Sequence, residues 1–191
     1  MNPKIAIFAS GNGSNFEAIV QAIYDKKLEA EIAVIVSDKA GCFALERAKN
    51  HGIDTFVFNA KDYNSKSEYE KTIVELLITK EVQLIVLAGY MRLVGDVLLT
   101  HFENRIINIH PALLPAFPGM HAIEKAYKYG VQVFGITIHY VDAGMDTGKI
   151  IAQDCFKISG DESLETIEEK IHQLEHQLYP KVIQHLLKEK I

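Results

Sequence analysis

Short apolar runs rich in β-branched residues alternate with stretches of helical spacing through the first 110 positions. Ile5–Ala9 (IAIFA), Ile32–Val36 (IAVIV), Thr55–Phe58 (TFVF), Leu84–Ala88 (LIVLA) and Ile106–Ile109 (IINI) read as buried strands. Between them, Phe16–Tyr24, Phe43–His51, Tyr69–Lys80 and Leu93–Phe102 carry the three- and four-residue steps of helices. Near-continuous apolar strands separated by helices predict an α/β fold, a doubly wound and mostly parallel sheet covered on both faces. The texture changes past residue 130. Val133–Val141 and Lys149–Phe156 are long strand-like runs around a glycine-bearing loop, which predicts an antiparallel or mixed C-terminal addition to the sheet. From Asp161 to Lys190, Leu164, Ile167, Ile171, Leu174 and Leu178 mark one helix face, and Pro180 should kink that helix or restart it. With no repeat or linker in view, residues 1–191 are expected to form a single domain.

Composition narrows the class. The 191 residues are 48% hydrophobic and 24% charged, an ordinary globular balance. A chain of this length buries roughly 70% of its unfolded surface, so it needs no disulfide or metal staple. Cys42 and Cys155 form neither a CxxC pair nor a zinc spacing and fit a reducing cytoplasm. No apolar run approaches the ~20 residues of a membrane span, and the apolar stretch within Met1–Ser10 is too short for a signal peptide. The formal charge of −5 argues against a nucleic-acid or acidic-membrane partner. An anionic substrate must then be held by local positive features.

Three segments carry chemistry. Ser10-Gly11-Asn12-Gly13-Ser14-Asn15 joins the first strand to a helix. Glycines allow a tight turn, and a helix start presents free N–H groups, a combination that binds phosphate. It lacks the third glycine of the dinucleotide fingerprint and the Gly-Lys-Ser/Thr of a P-loop. The segment reads either as a plain turn with Ser14 or Asn15 as N-cap, or as a site for the phosphate monoester of a small substrate. Ser14 is no nucleophile, since G-x-S-x-G is absent. In Asn108-Ile109-His110-Pro111, alternation places Asn108 and His110 on one face of a strand, roughly 6–7 Å apart and at its carboxyl end. An amide donor beside a proton-carrying imidazole suits addition to a carbonyl, although a histidine bonded within the core gives the same pattern. The loop His139–Gly148 (HYVDAGMDTG) offers Asp142 and Asp146, and pattern does not choose which of them meets His110.

Together, SGNGSN, LAGYMRL (Leu87–Leu93), NIHPALLPAFPG (Asn108–Gly119), GITIHYVDAGMDTGKII (Gly135–Ile151) and EHQLYP (Glu175–Pro180) resemble the phosphoribosylglycinamide formyltransferase family of folate-dependent formyltransferases across nearly the whole chain. The resemblance implies a Rossmann-like formyltransferase fold. The implied reaction is transfer of the formyl group of 10-formyltetrahydrofolate to the amine of glycinamide ribonucleotide, in purine biosynthesis and without a metal. It implies Asn108, His110 and Asp146 as the catalytic group stabilising a tetrahedral intermediate, and so selects Asp146 over Asp142. Gly13, Ser14 and Asn15 would hold the substrate phosphate, with His172 and Glu175 near the rest of the ribonucleotide. Many relatives have glutamine at the position of His172. The folate would lie beside Met91, Arg92, Leu93 and Val94, Asn108, and the loop residues Asp142, Ala143, Gly144 and Met145, with Lys66 near it. Both substrates are small molecules, and the protein is expected to be a monomer or homodimer.

Other residues read more plainly. Glu168, His172, Glu175 and Tyr179 form one polar flank beside the helix stripe. His51, His101 and His185 are expected to be exposed, His139 to take a supporting or cleft role, and Leu114–Pro115 is a candidate for a cis bond. The alternative reading is a 10-formyltetrahydrofolate deformylase, a hydrolase with water as acceptor, but such proteins usually carry an additional domain for which this chain has no room. The initiator-tRNA formyltransferases want a basic RNA surface. A non-catalytic nucleotide-binding module leaves the pairing of Asn108 with His110 unexplained.

Overall fold

The computed structural model describes residues 2–189. The expectations reaching Met1 and Lys190–Ile191 therefore lie outside the described residues. Strands β1 (Lys4–Phe8), β2 (Glu31–Ser37), β3 (Thr55–Val57), β4 (Leu84–Leu87) and β5 (Ile106–His110) pair in parallel. β6 (Val133–Tyr140) pairs antiparallel with β5, and β7 (Ile150–Lys157) antiparallel with β6. The seven strands form one sheet in the order β3-β2-β1-β4-β5-β6-β7. The chain leaves β1 to one side for β2 and returns to its other side for β4. That reversal opens a crevice at the carboxyl ends of β1, β4 and β5, where α/β sheets hold ligands.

The helices are α1 (Ser14–Tyr24), α2 (Phe43–Asn50), α3 (Lys66–Thr79), α4 (Asp96–His101), α5 (Ala122–Tyr129) and α6 (Leu164–Lys188). Strand alternation splits the interior into two cores. Ile5, Ile7, Val86, Ile107 and Ile109 pack with Phe16, Ile19, Ile171 and Ile183 of α1 and α6. Ala6, Phe8, Ile85, Leu87 and Ile106 pack with Tyr69, Ile73, Leu77 and Leu98 of α3 and α4. Ile107 and Ile109 thus share one face of β5, and the opposite face carries Ile106, Asn108 and His110.

Four departures from the pattern have physical causes. α4 starts at Asp96 rather than Leu93, because the buried Glu70 carboxylate accepts from Gly95 N (2.6 Å) and Leu98 N (3.4 Å) and so sets the helix start. α5 is not legible in the sequence: it follows a proline-dense stretch, buries only Ala122, Ile123 and Ala126, and closes on Gly130 in the left-handed region. α6 begins at Leu164, after the cap of Ser163, and carries Pro180 in its interior instead of restarting there. Its buried line runs Ile167, Ile171, Glu175, Tyr179, Ile183, while Leu174 and Leu178 are only half-buried. The expected polar flank is therefore split. Glu175 and Tyr179 lie inside, with the Tyr179 hydroxyl donating to Leu87 O (2.8 Å), whereas His172 stays exposed.

Leu114–Pro115 is cis. Gly135 on β6 is a close-approach position: a Cβ there would meet the Asp154 carbonyl of β7 and lie 2.7 Å from the Leu113 side chain. Gly135→Ala is expected to cost about 1–3 kcal/mol through overpacking. At about 2–4 °C per kcal/mol for a chain of this size, circular dichroism should show the melting midpoint several degrees lower, and an unshifted midpoint contradicts this packing.

Candidate active site

The turn after β1 is braced from outside. Gly13 is the N-cap of α1 with φ +78°, a conformation suited to glycine, and a Cβ there would sit 2.7 Å from that of Ala44. Ser14 and Asn15 are therefore the first helical residues and not the cap. Their N–H groups and that of Phe16 belong to the helix start, which has no carbonyl of its own to offer them. Arg47, stacked on Phe43, donates to Asn12 O (3.1 Å) and pairs with Glu17 (3.1 Å). Glu17 also binds His51 (2.9 Å), so His51 is half-buried and paired rather than exposed. His101 and His185 are exposed as expected.

Across the crevice, Asn15 Nδ2 donates to Glu175 Oε2 (3.1 Å), which also receives His172 Nδ1 (3.0 Å). Glu175 is 5% exposed. Its carboxylate, through the hydrogen bond to His172, raises the pKa of that imidazole. Burial lowers the pKa of neighbouring His176. The buried Asn15 Oδ1 has no protein partner, which leaves an acceptor free beside the turn.

The two side chains of β5 converge on one carboxylate. His110 Nδ1 lies 3.3 Å from Asp146 Oδ2, and Asn108 Nδ2 reaches Asp146 Oδ1 at 3.4 Å. Asp146 also accepts Gly119 N–H (2.7 Å) and sits in the left-handed region at φ +57°. His110 Nε2 donates to Phe117 O (2.8 Å), so both ring nitrogens face oxygen acceptors. His139 stands opposite Asn108 across the β5–β6 ladder. Its Nδ1 donates to Tyr140 O (2.8 Å), and its Nε2 lies 3.2 Å from Asn108 Nδ2 and 3.5 Å from Asp146 Oδ1. Asp142 is engaged elsewhere. Its Oδ1 accepts Gly144 N (3.1 Å) and Thr147 Oγ1 (2.7 Å), closing the loop on itself.

The remaining expected residues surround this cluster unevenly. Met91, Leu93 and Met145 are exposed apolar side chains, Arg92 is half-buried, and Ala143 and Gly144 lie on the open loop. Val94 is buried in the α3–α4 core and can offer a ligand only its backbone. Lys66 is exposed at the start of α3, with its side chain against Gly95. His121 points outward and pairs with Glu124 (3.2 Å). Among the described residues, no group of three His, Cys, Asp or Glu is placed to hold a metal ion, and no helix is long and apolar enough to cross a membrane.

Residues 3–183 match the formyl transferase family model. The chain belongs to the formyl transferase family. It is 54% identical to phosphoribosylglycinamide formyltransferase of Bacillus subtilis (strain 168) over 184 residues, 96% of this chain and 94% of that protein. Among solved structures, glycinamide ribonucleotide transformylase 1 from Geobacillus kaustophilus superposes with a TM-score of 0.94 at 49% identity, covering 98% of this chain and 100% of that one. Phosphoribosylglycinamide formyltransferase from Bacillus halodurans does so at 0.93 and 50% identity, covering 97% and 96%.

Within this formyl transferase, Asp38, Arg47 and Glu70 brace the crevice without standing out in the sequence. Each acts over 25 or more positions of chain, so only pairing in space reveals it. His139 is half-visible in the sequence, since antiparallel pairing with β5 sets its face.

The Asp146 carboxyl is lowered to about 2. The hydrogen bond to His139 is the largest cause; burial opposes it, and Gly119 N–H and the charges of His110 and His139 add to the lowering. A carboxyl depressed in the folded state stabilises the fold above its unfolded pKa and loses that contribution as pH falls through the folded value. At 1.36 kcal/mol per unit, the contribution is about 2 kcal/mol, present above about pH 4 and lost towards pH 2. Urea unfolding of wild type and Asp146→Asn from pH 5 down to 2.5 should show their stability gap shrinking on this scale. A constant gap would refute the assignment.

Proposed function

We propose that the protein transfers the formyl group of 10-formyltetrahydrofolate to the amine of glycinamide ribonucleotide, a step of purine biosynthesis in the cytoplasm. The observation that carries this reading is the convergence of Asn108 and His110 on the Asp146 carboxylate, beside a braced helix start suited to phosphate. The names of the relatives give the ribonucleotide as acceptor, and the family resemblance implies the folate donor. The exposed apolar side chains of Met91, Leu93 and Met145 fit a flat heteroaromatic ring, and Lys66 and Arg92 fit its anionic tail.

The bound folate supplies an activated formyl carbon for the ribonucleotide amine to attack. Asn108 and His110 hold the oxygen that becomes negative at that carbon. Their contacts to Asp146, 3.4 and 3.3 Å, are long, so both N–H groups have room for a shorter bond to a substrate oxygen. Asp146, facing Nδ1, keeps the His110 ring oriented. The proton lost by the amine equals the one gained by the departing folate nitrogen, and His110 or a water beside it carries it across. Gly13, Ser14 and Asn15 bind the ribonucleotide phosphate through backbone N–H groups at the helix start. Glu175 Oε2 is taken by Asn15 and His172, which leaves its other oxygen for the amine end of the ribonucleotide.

Incubation with 10-formyltetrahydrofolate should release folate only when glycinamide ribonucleotide is present. Release without the ribonucleotide would instead indicate the hydrolase. His110→Ala and Asn108→Ala are each expected to lower turnover ~10²–10³-fold, the usual loss for one oxyanion donor, while calorimetry still detects both ligands. Asp146→Ala should also cripple turnover, and near-normal rates in these variants refute the roles. A chelator is expected to leave turnover unchanged.

A further inference from the structure

Where β1, β2 and β4 end, one buried hydrogen-bond chain ties the two halves of the crevice together. Met91 N donates to Ser10 Oγ (3.0 Å), and Ser10 Oγ donates to Asp38 Oδ1 (2.6 Å). The other carboxylate oxygen of Asp38 lies 3.6 Å from Arg92 Nη1, and the Arg92 guanidinium also rests over the Tyr69 ring. Ser10 N donates to Gly89 O (3.0 Å), closing the link from the backbone side. The Asp38 side chain is only 5% exposed, and its acceptor-only carboxylate fixes the direction of the Ser10 hydroxyl. Ser10 opens the phosphate turn, while Met91 and Arg92 open the segment assigned above to the folate. Neither resemblance nor spacing points to Asp38.

We propose that Ser10 and Asp38 are positioning residues that hold the phosphate turn and the Met91–Arg92 segment at a fixed separation, so that both substrates depend on one hydrogen-bond chain. This rests on the functional reading above. The two Asp38 oxygens have separable roles. Oδ1 orients Ser10 and through it both segments, whereas Oδ2 orients Arg92 on the folate side alone.

Calorimetric titration with tetrahydrofolate and, separately, glycinamide ribonucleotide tests this, alongside thermal unfolding. Asp38→Ala is expected to weaken both ligands about tenfold, the scale of one lost charge-assisted hydrogen bond. Asp38→Asn keeps an oxygen for Ser10, so ribonucleotide affinity should return to within about threefold while folate affinity stays reduced. A merely structural role would lower the melting midpoint without this split. Should Asp38→Ala fail to fold, Ser10→Ala carries the same expectation of weakening both ligands. Weakening of one ligand or neither, in a folded variant, overturns the linkage. Wild type that binds neither ligand overturns the reading of the site itself, whereas wild type that binds both without formyl transfer overturns only the reaction.

Discussion

The Asp146 carboxylate ties the antiparallel end of the sheet to the parallel part. It sits on the loop between β6 and β7, yet it gathers Gly119 N–H, the Asn108 amide and the rings of His110 and His139. A half-buried anion needs donors, and Gly119, Asn108 and His110 turn N–H groups towards it. Remove the carboxylate, and the His110 ring and the Asn108 amide lose their common acceptor. The site therefore depends on the β6–β7 loop being placed as firmly as the strands.

That placement is costly locally and is offset elsewhere. Asp146 adopts a left-handed backbone, as do Phe117 and His121 in the segment that faces it. Non-glycine residues hold such conformations only where their surroundings over-determine them. Here the surroundings are the hydrogen bonds themselves: Phe117 O takes His110 Nε2, and Gly119 N gives to Asp146. The strained segment and the reacting groups thus hold each other, while Thr137 Oγ1, donating to Ala112 O and receiving Leu114 N, pins the approach to that segment from β6.

The opposite wall follows the same logic with different groups. Buried acids join its elements: Glu70 sets the start of α4, Glu175 joins α6 to α1, and Asp38 joins β2 to the ends of β1 and β4. The formal charge of −5 is no obstacle to anionic substrates, because these carboxylates face N–H groups and cations inside the crevice walls.

Strand alternation and helical spacing determined the α/β class, the parallel core and the shared face of Asn108 and His110. Those properties are local: a side chain two positions along a strand must return to the same side. The resemblance added Asp146, which pattern left undecided against Asp142. Short α5 stays hidden because it spans only eight residues after a proline-dense stretch and buries just Ala122, Ile123 and Ala126. Glu175 and Tyr179 escape the pattern because a 25-residue helix buries whatever its neighbours cover, and their partners lie on α1 and β4. Tertiary structure alone decided which acids are buried and which loops they join, since a hydrogen bond between residues 28 to 160 positions apart leaves no trace in the spacing of either.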